Sequence, residues 1–427
     1  MRAATFSLVT VAPPRTDWIT RLTAWSNEGS LGVEVIRCIS LEELRARIGS
    51  IQRFSAAIID ESMIGLDRDL LMLARETGCA TIVITKGIAR HDWESLGGSG
   101  TITDPFGPED LLHALRCWAE PTDRHDLHRP TEVLTTDTID APTAPLAPLV
   151  AVVGAGGTGT STAAAALAQG FSATLAVTLV DAALDGSLAL MLGSTNLTPS
   201  LQQLVEAHRL ATPAPEDLVS FLHPCPHHHF FLVPGLRRHR DWTSLGTHAV
   251  GASVVSLRRT CQLLIADIDP DFEGESETGS FDIGDRNSLS RIITRSADAI
   301  LVTGRPDLVG VSRLVRIISD LIELGVGAGR IRIVMLGGGR RALGTGETRR
   351  AIEQLLRELQ PSHNPPPTAF LDFPKGLDSM LLDARPLPEL FVNSLRSIVD
   401  SVLGSEWPTP ATSDPIPIAP GSLGIAS

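Results

Sequence analysis

A glycine-rich run between an apolar segment and an alanine-rich segment limits what this chain of 427 residues can fold into. The apolar segment covers 149–153, the glycine-rich run 154–162 and the alanine-rich segment 163–168. This order predicts a buried strand, a tight loop and a helix, with backbone N–H groups converging on an anion at the helix N-terminus. Gly154, Gly159 and Ser161 follow the phosphate-loop frame G-x-x-x-x-G-K-[ST].

The position that carries the lysine of this frame is Thr160. The lysine would neutralise the β- and γ-phosphates, and the hydroxyl of Ser161 would ligate Mg²⁺. We expect the loop to form an anion-binding nest from its backbone and the helix dipole, whereas tight triphosphate binding and phosphoryl transfer are harder to support. The candidate nucleotide-binding residues of the loop are Gly154, Gly156, Gly157, Gly159, Thr160, Ser161 and Thr162.

Apolar runs alternate with amphipathic segments along most of the chain, which is typical of parallel sheets covered by helices on both faces. The predicted strands of the first half are 5–11, 33–38, 56–59, 80–85 and 100–103, and helices are predicted near Trp18 and at 41–48, 68–76 and 108–119. After the strand at Val150, those of the second half are 174–180, 230–233, 263–267, 299–303, 331–336 and 369–373. We therefore predict an α/β protein with two doubly wound domains.

Composition sets the expected boundaries and excludes several protein classes. The domains are predicted at 1–120 and 149–403, joined by a flexible Pro-, Thr- and Asp-rich linker at 121–148 and followed by a disordered tail at 404–427. A formal net charge of −13 provides no overall basic field, so no specific nucleic-acid partner is expected. No segment reaches the roughly 18 consecutive apolar residues of a membrane-spanning helix. Five scattered cysteines without C-x-x-C spacing favour free thiols and a cytoplasmic location.

The first half resembles the receiver domain of response regulators, a flavodoxin-like fold, in its five strand–helix units. Asp60 ends the third strand, and Asp104 follows the fifth. A receiver also needs an acidic pair after its first strand, where residues 12–15 read Ala-Pro-Pro-Arg, and a lysine at the place of Asp104. Asp60 is thus either a phosphoacceptor that switches the second half or, as we favour, a carboxylate that caps the next turn. We interpret this half as a pseudo-receiver domain with a docking role.

The second half resembles the MinD/ParA ATPases, in the branch of the pilus-localisation proteins CpaE and TadZ. Its loop at 155–161 aligns with the family's K-G-G-x-G-K-[ST], and Asp181 matches the first carboxylate of the family's D-x-D strand end. Asp267 ends a Walker-B-like strand. The resemblance implies that Asp181 and Asp267 would be the catalytic carboxylates of an active enzyme, that Ser161 and Asp267 would hold Mg²⁺, and that ATP or ADP would be the cofactor.

This chain departs from the family at four positions of the implied nucleotide site. Ala155 replaces the lysine that crosses a nucleotide-sandwich dimer, and Thr160 replaces the phosphate-binding lysine. Ala183 replaces the second carboxylate, which helps to place the attacking water. Gly337 begins a glycine run where the family has an asparagine for adenine. Four losses in one site favour a nucleotide fold that is no longer a competent ATPase.

The degraded loop, the receiver-like first half and the Pro-rich tail are together most similar to the actinobacterial CpaE-like proteins called septum-site-determining proteins. The resemblance implies a regulator of septum placement, or a localisation factor for a secretion or pilus machine, recruited to septum or pole. Its partners would be division or secretion/pilus proteins and, as a homodimer, a second copy; any membrane association would run through partners. The alternative is a slow ATPase that recruits its cation from Arg305 or Arg340 and cycles between monomer and dimer.

Three further segments carry side chains of ligand type. Residues 223–229 contain four histidines and Cys225, which suggests either a zinc site or, as we favour, an exposed loop leading into a strand. The basic clusters at 237–240 and 340–341 are either phosphate-polymer contacts or, as we favour, solvated surface. The acidic stretch 267–277 lacks the EF-hand order of ligands and is predicted to be a mobile loop.

Overall fold

The computed structural model describes residues 6–29, 31–50, 52–121, 145–194, 196–225, 227–337 and 344–404. Most of the predicted linker, nearly all of the predicted tail, and Arg340 and Arg341 lie outside these residues. The described residues form one five-stranded and one eight-stranded sheet. No described helix is both long enough and apolar enough to cross a membrane.

Strands and helices alternate through the first half. Their bounds are β1 (Phe6–Val11), α1 (Asp17–Asn27), β2 (Val33–Cys38), α2 (Leu41–Ile48), β3 (Ala56–Asp60), α3 (Arg68–Glu76), β4 (Ala80–Thr85), β5 (Gly100–Thr103) and α4 (Pro108–Trp118). All neighbouring strands are parallel, in the order β2-β1-β3-β4-β5 of flavodoxin-like sheets. The predicted elements agree with these to within a residue, but turns instead of a helix connect β4 to β5.

The first sheet buries both of its faces because successive strand residues point to opposite sides. In β3, Ala56 and Ile58 belong to one apolar core, and Ala57 and Ile59 belong to the other. Helices cover both cores, and α3 begins where the side chain of its N-cap residue, Asp67, accepts a hydrogen bond from Leu70 N. The run of apolar residues in β3 thus reflects burial on two faces.

The second half repeats this architecture on a larger scale. Its bounds are β6 (Leu149–Gly154), α5 (Thr160–Ser172), β7 (Val177–Ala182), α6 (Leu188–Met191), α7 (Leu201–Leu210), α8 (Pro215–Leu218), β8 (His223–Pro224), β9 (Phe231–Val233), α9 (Thr247–Thr260), β10 (Leu263–Ile268), α10 (Glu275–Thr278), α11 (Phe281–Arg286), α12 (Ser288–Ser296), β11 (Ala299–Gly304), α13 (Leu308–Glu323), β12 (Ile331–Gly337), α14 (Thr345–Leu359), β13 (Thr368–Asp372), α15 (Leu377–Leu382) and α16 (Glu389–Leu403). Sequence patterns did not indicate β8, a two-residue strand.

The eight strands lie in the order β13-β12-β11-β6-β10-β7-β9-β8, and every neighbouring pair is parallel except β8 and β9. The predicted strand at 174–180 begins later than expected, at Val177, because Thr174 and Leu175 donate backbone hydrogen bonds to Phe171 O and continue the end of α5. Residues 145–148 of the predicted linker lie against the second half, where Ala147 is buried and its carbonyl accepts from Arg258 Nε. The central position of β6 brings the glycine loop between the ends of β10 and β11.

Candidate functional site

The glycine loop connects the central strand β6 to helix α5, as the sequence predicted. Gly157 and Gly159 have φ angles of +78° and +86°, a left-handed conformation in which a side chain would be strained. A Cβ atom at Gly159 would also lie 2.6 Å from the ring of Phe373, just after β13. The loop therefore turns sharply into α5, and the Phe373 ring lies directly against it.

Three threonine hydroxyls form a cluster over the start of the loop. Thr158 Oγ1 lies 2.8 Å from Thr303 Oγ1 and 3.1 Å from Thr160 Oγ1, and Thr160 Oγ1 lies 2.9 Å from Thr303 Oγ1. Thr158 also donates to Ala155 O at 2.7 Å. A Cβ atom at Gly154 would overlap this cluster. Position 160, where the phosphate-loop frame carries its lysine, thus holds a neutral hydroxyl that contacts two other hydroxyls.

Two buried carboxylates lie beside the loop, on neighbouring strands. Asp181 of β7 and Asp267 of β10 are register partners, and they are 1% and 2% exposed. Leu188 N donates to Asp181 Oδ2 at 3.0 Å, and Ser161 hydrogen-bonds to the Asp267 carboxyl. Asp181 Oδ1 and Asp267 Oδ2 have no hydrogen-bond partner among the described residues. Each carboxyl group therefore has one buried oxygen without a hydrogen-bond donor among the described residues.

Burial dominates the electrostatics of this pair. It raises the pKa of Asp267 to about 7, although the Ser161 hydrogen bond opposes the shift. Burial raises the pKa of Asp181 to about 7 as well, and the charge of Asp267 adds to that effect. Asp269, the next acidic residue along the chain, accepts from Leu184 N at 2.7 Å, and burial also raises its pKa. A bound cation would relieve the cost of ionising these groups.

The donor set of Ser161, Asp181 and Asp267 fits a hydrated Mg²⁺, which prefers oxygen ligands and keeps several waters. Ser161 and Asp267 are the residues that would hold it. The described residues contain no group of three histidine, cysteine or acidic side chains arranged as a metal site, so water or phosphate would have to complete the shell. The loop does not fit a triphosphate as well as it fits the cation, because residues 154–162 contain no positive side chain.

Positive charge is scarce around the loop in the sequence as well. The chain contains two lysines, Lys86 and Lys375. Lys375 is exposed and lies two positions after Phe373, the residue whose ring lies against Gly159 of the loop. Arg305, the proposed substitute cation, is 59% exposed and pairs with Asp307 at 3.2 Å; Arg340 lies outside the described residues.

Sequence reasoning did not identify Thr158, Thr303 and Phe373 as part of the site. Thr303 is the register partner of Gly154, so its position at the end of β11 was a usable signal. Nothing in the local sequence indicated that Phe373, just after the edge strand β13, would reach Gly159 across the two strands that separate β13 from β6. Ala183 supplies no acidic group to the site.

Asp60 has both of its carboxyl oxygens engaged inside the first half. Trp18 Nε1 donates to Asp60 Oδ2 at 2.9 Å, and Ser62 donates to Asp60 Oδ1 through its backbone N at 3.0 Å and its hydroxyl at 2.5 Å. Arg21 pairs with Asp104 at 2.5 Å. These contacts agree with the interpretation of Asp60 as a carboxylate that caps the next turn.

The histidine-rich segment does not converge on one point in its described part. His223 Nε2 lies 2.7 Å from Pro199 O, Cys225 is buried, and the His228 ring lies against Phe230. No metal-type cluster occurs there among the described residues. The geometry gives the zinc interpretation no support.

No protein-family model and no curated protein matches the chain. Solved structures to which it is similar include apo McdA of Cyanothece, with 20% identity over 60% of this chain and 99% of that chain at a TM-score of 0.45. The ParA family ATPase of Chlorobium tepidum has 18% identity over 60% and 99%, and the cell division ATPase MinD of Pyrococcus furiosus has 16% over 60% and 99%, both at a TM-score of 0.46. At these identities and scores the comparisons assign no activity to this chain.

Proposed function

We propose that this chain is a regulatory positioning protein of the CpaE/TadZ/MinD type, in which a degenerate nucleotide site no longer supports ATP turnover. It acts in the choice of the division site or in the localisation of a secretion or pilus machine, and is recruited to septum or pole by protein partners. The sequence resemblance of 149–403, including the loop and Asp267, supports the type of protein. The receiver-like first half supports a docking role.

The hydroxyl cluster of Thr158, Thr160 and Thr303 carries the noncatalytic part of this proposal. Phosphoryl transfer depends on positioning and on positive charge that stabilises the transferred group. Here the space above Gly154 holds three neutral hydroxyls that satisfy one another. Ala155 supplies no cation and Ala183 supplies no carboxylate, so the site lacks the groups that would neutralise phosphate and orient water.

A slow ATPase is the second candidate, and one observation favours it. Asp181 Oδ1 and Asp267 Oδ2 are buried without a donor, and leaving such oxygens unpaired costs about 1–3 kcal/mol each unless a cation or water satisfies them. A Mg²⁺ ion held by Ser161 and Asp267 would remove this cost and would supply charge to a bound phosphate. The phosphate-binding cation would then come from outside the loop.

Localisation of a fluorescent fusion in the organism that encodes the chain distinguishes the two candidates. The noncatalytic proposal expects foci at the septum or pole that persist in Ser161→Ala and Asp267→Ala. If ATP cycling drives positioning, both variants become diffuse, whereas a control such as Ser172→Ala at the far end of α5 keeps the foci. A diffuse wild-type fusion would contradict a positioning role.

A further inference from the structure

Helix α3 of the first half contacts the ends of two helices of the second half, α7 and α9. Asp67 accepts from Arg209 Nε at 3.0 Å and pairs with its terminal nitrogen as well. The Asp67 side chain is 2% exposed, so this ion pair is shielded from water on one side. The contact joins residues separated by more than a hundred positions in sequence and lies outside the candidate nucleotide site.

Asp69 supplies a cap that α9 lacks. The N-cap residue of α9 is Gly246, which has no side chain to accept from the first-turn amides. Asp69 Oδ1 takes that place, accepting from His248 N at 2.7 Å and Ala249 N at 3.4 Å. A methyl group at Gly246 would overlap the Asp69 carboxylate, so glycine is what allows the approach.

Arg68 caps the opposite kind of helix end, the C-terminus of α7. Its guanidinium donates to His208 O at 2.8 Å, Ala211 O at 3.4 Å and Thr212 Oγ1 at 2.8 Å. Unpaired carbonyls and negative dipole charge gather at a helix C-terminus, and unpaired N–H groups and positive charge at an N-terminus. Adjacent residues of α3 thus match the opposite ends of two helices in sign and in hydrogen-bonding capacity.

The two capped helices are connected to the strands of the candidate site. Helix α7 follows β7, which carries Asp181, and α9 directly precedes β10, which carries Asp267. Buried His208 fixes the two helices to each other, because its ring nitrogens bond Leu204 O and Ser256 Oγ, each at 2.8 Å. A partner that holds α7 and α9 therefore holds two helices connected to the neighbouring inner strands β7 and β10, which carry the two carboxylates.

We propose that the N-terminus of α9 and the C-terminus of α7 form a docking surface for the start of a helix that carries acidic and basic residues side by side, and that the occupant is the chain's own α3. Asp67, Arg68 and Asp69 make a latch that fixes the first half on the second and braces the two helices. This gives the pseudo-receiver half a role that needs no phosphorylation, and it does not depend on whether the nucleotide site is active.

Hydrogen exchange of the full chain tests the latch with a matched pair of glycine variants. Gly246→Ala overlaps Asp69 but keeps an ordinary backbone φ of −83°, whereas a methyl at Gly251, on the same helix, meets no atom within 4 Å. We expect Gly246→Ala to accelerate exchange about tenfold in the first turn of α9, in α3 and at the C-terminus of α7, which corresponds to a loss of about 1.4 kcal/mol. Gly251→Ala lies inside α9, where alanine favours the helix, so it should accelerate exchange in none of the three segments.

A second pair covers the case in which Gly246→Ala unfolds the second half. Arg68→Ala changes the first half instead of the second and removes the side chain that caps α7. Its control, Arg75→Ala, changes an exposed arginine of α3. Faster exchange at α7 and α9 in Arg68→Ala alone, with a larger radius of gyration by small-angle scattering, supports the latch. Changes confined to the mutated helix, or none in any variant, would overturn it.

Discussion

Replacing Thr160 by lysine restores one charge to the candidate phosphate loop, and the consequence can be estimated from the hydroxyl cluster. The lysine removes the Thr160 hydroxyl from its contacts with Thr303 and Thr158 at 2.9 Å and 3.1 Å. The bond of 2.8 Å between Thr158 and Thr303 stays, so neither remaining hydroxyl is left alone. The structural cost should be about 2 kcal/mol, the net value of two ordinary hydrogen bonds.

The gain is a charged hydrogen bond to a bound phosphate, worth about 1.5–3 kcal/mol. We therefore expect Thr160→Lys to bind ATP with Mg²⁺ about 10- to 150-fold more tightly than the wild type. Turnover should stay absent, because Ala183 supplies no carboxylate to place water and Ala155 supplies no crossing cation. The triple change Ala155→Lys, Thr160→Lys, Ala183→Asp supplies the crossing cation, the phosphate-binding cation and the water-placing carboxylate together, and is the variant in which phosphate release could appear.

Isothermal titration with ATP and MgCl₂ measures the affinity, and Thr160→Met is the matched control because it has similar length without charge. The gain should appear in the lysine variant alone and shrink with added salt. Equal tightening in Thr160→Met would refute the charge argument. No tightening in Thr160→Lys would show that the loop does not present its backbone to phosphate.

Three further predictions follow from other parts of the molecule. Burial raises the pKa of Asp267 from 3.8 to about 7, so the wild type should lose stability as the pH rises from about 4 to about 7. By urea titration in Mg²⁺-free buffer, the free energy of unfolding of Asp267→Asn should exceed that of the wild type by roughly 2–4 kcal/mol at pH 8 and should not exceed it at pH 4. Acetyl phosphate with Mg²⁺ should leave the intact mass unchanged, because both Asp60 oxygens accept hydrogen bonds; an added phosphate that Asp60→Asn abolishes would promote the switch model. Limited proteolysis should cut first within 121–148 and leave two fragments that co-elute through the α3 contact; first cleavage within 10–115 or 150–400 would show that the boundaries are wrong.

Much of the fold was predictable because apolar runs mark strands that are buried on both faces. The strands at 33–38, 80–85 and 100–103 were predicted with the bounds that the structure has. Strand β8 was not, because two residues carry no periodicity, and the late start of β7 depends on how α5 ends. Neither the presence of β8 nor the start of β7 leaves a pattern that a short window of sequence could reveal.

The candidate site was predictable where its residues are local in sequence. The loop was indicated by its motif spacing and Asp267 by its place at a Walker-B-like strand end, whereas Asp181 was indicated by the resemblance to the MinD/ParA ATPases. The cluster around Thr303, the Phe373 ring over Gly159 and the α3 latch join distant residues, so their side-chain contacts required the packed structure.

The most direct test of the central claim is phosphate release by the purified wild type at saturating ATP and Mg²⁺. A noncatalytic positioning protein should release phosphate no faster than the same sample after heat denaturation, and Ser161→Ala and Asp267→Ala should not change the rate. Release well above that control, abolished in both variants, would contradict the noncatalytic account and establish the slow ATPase.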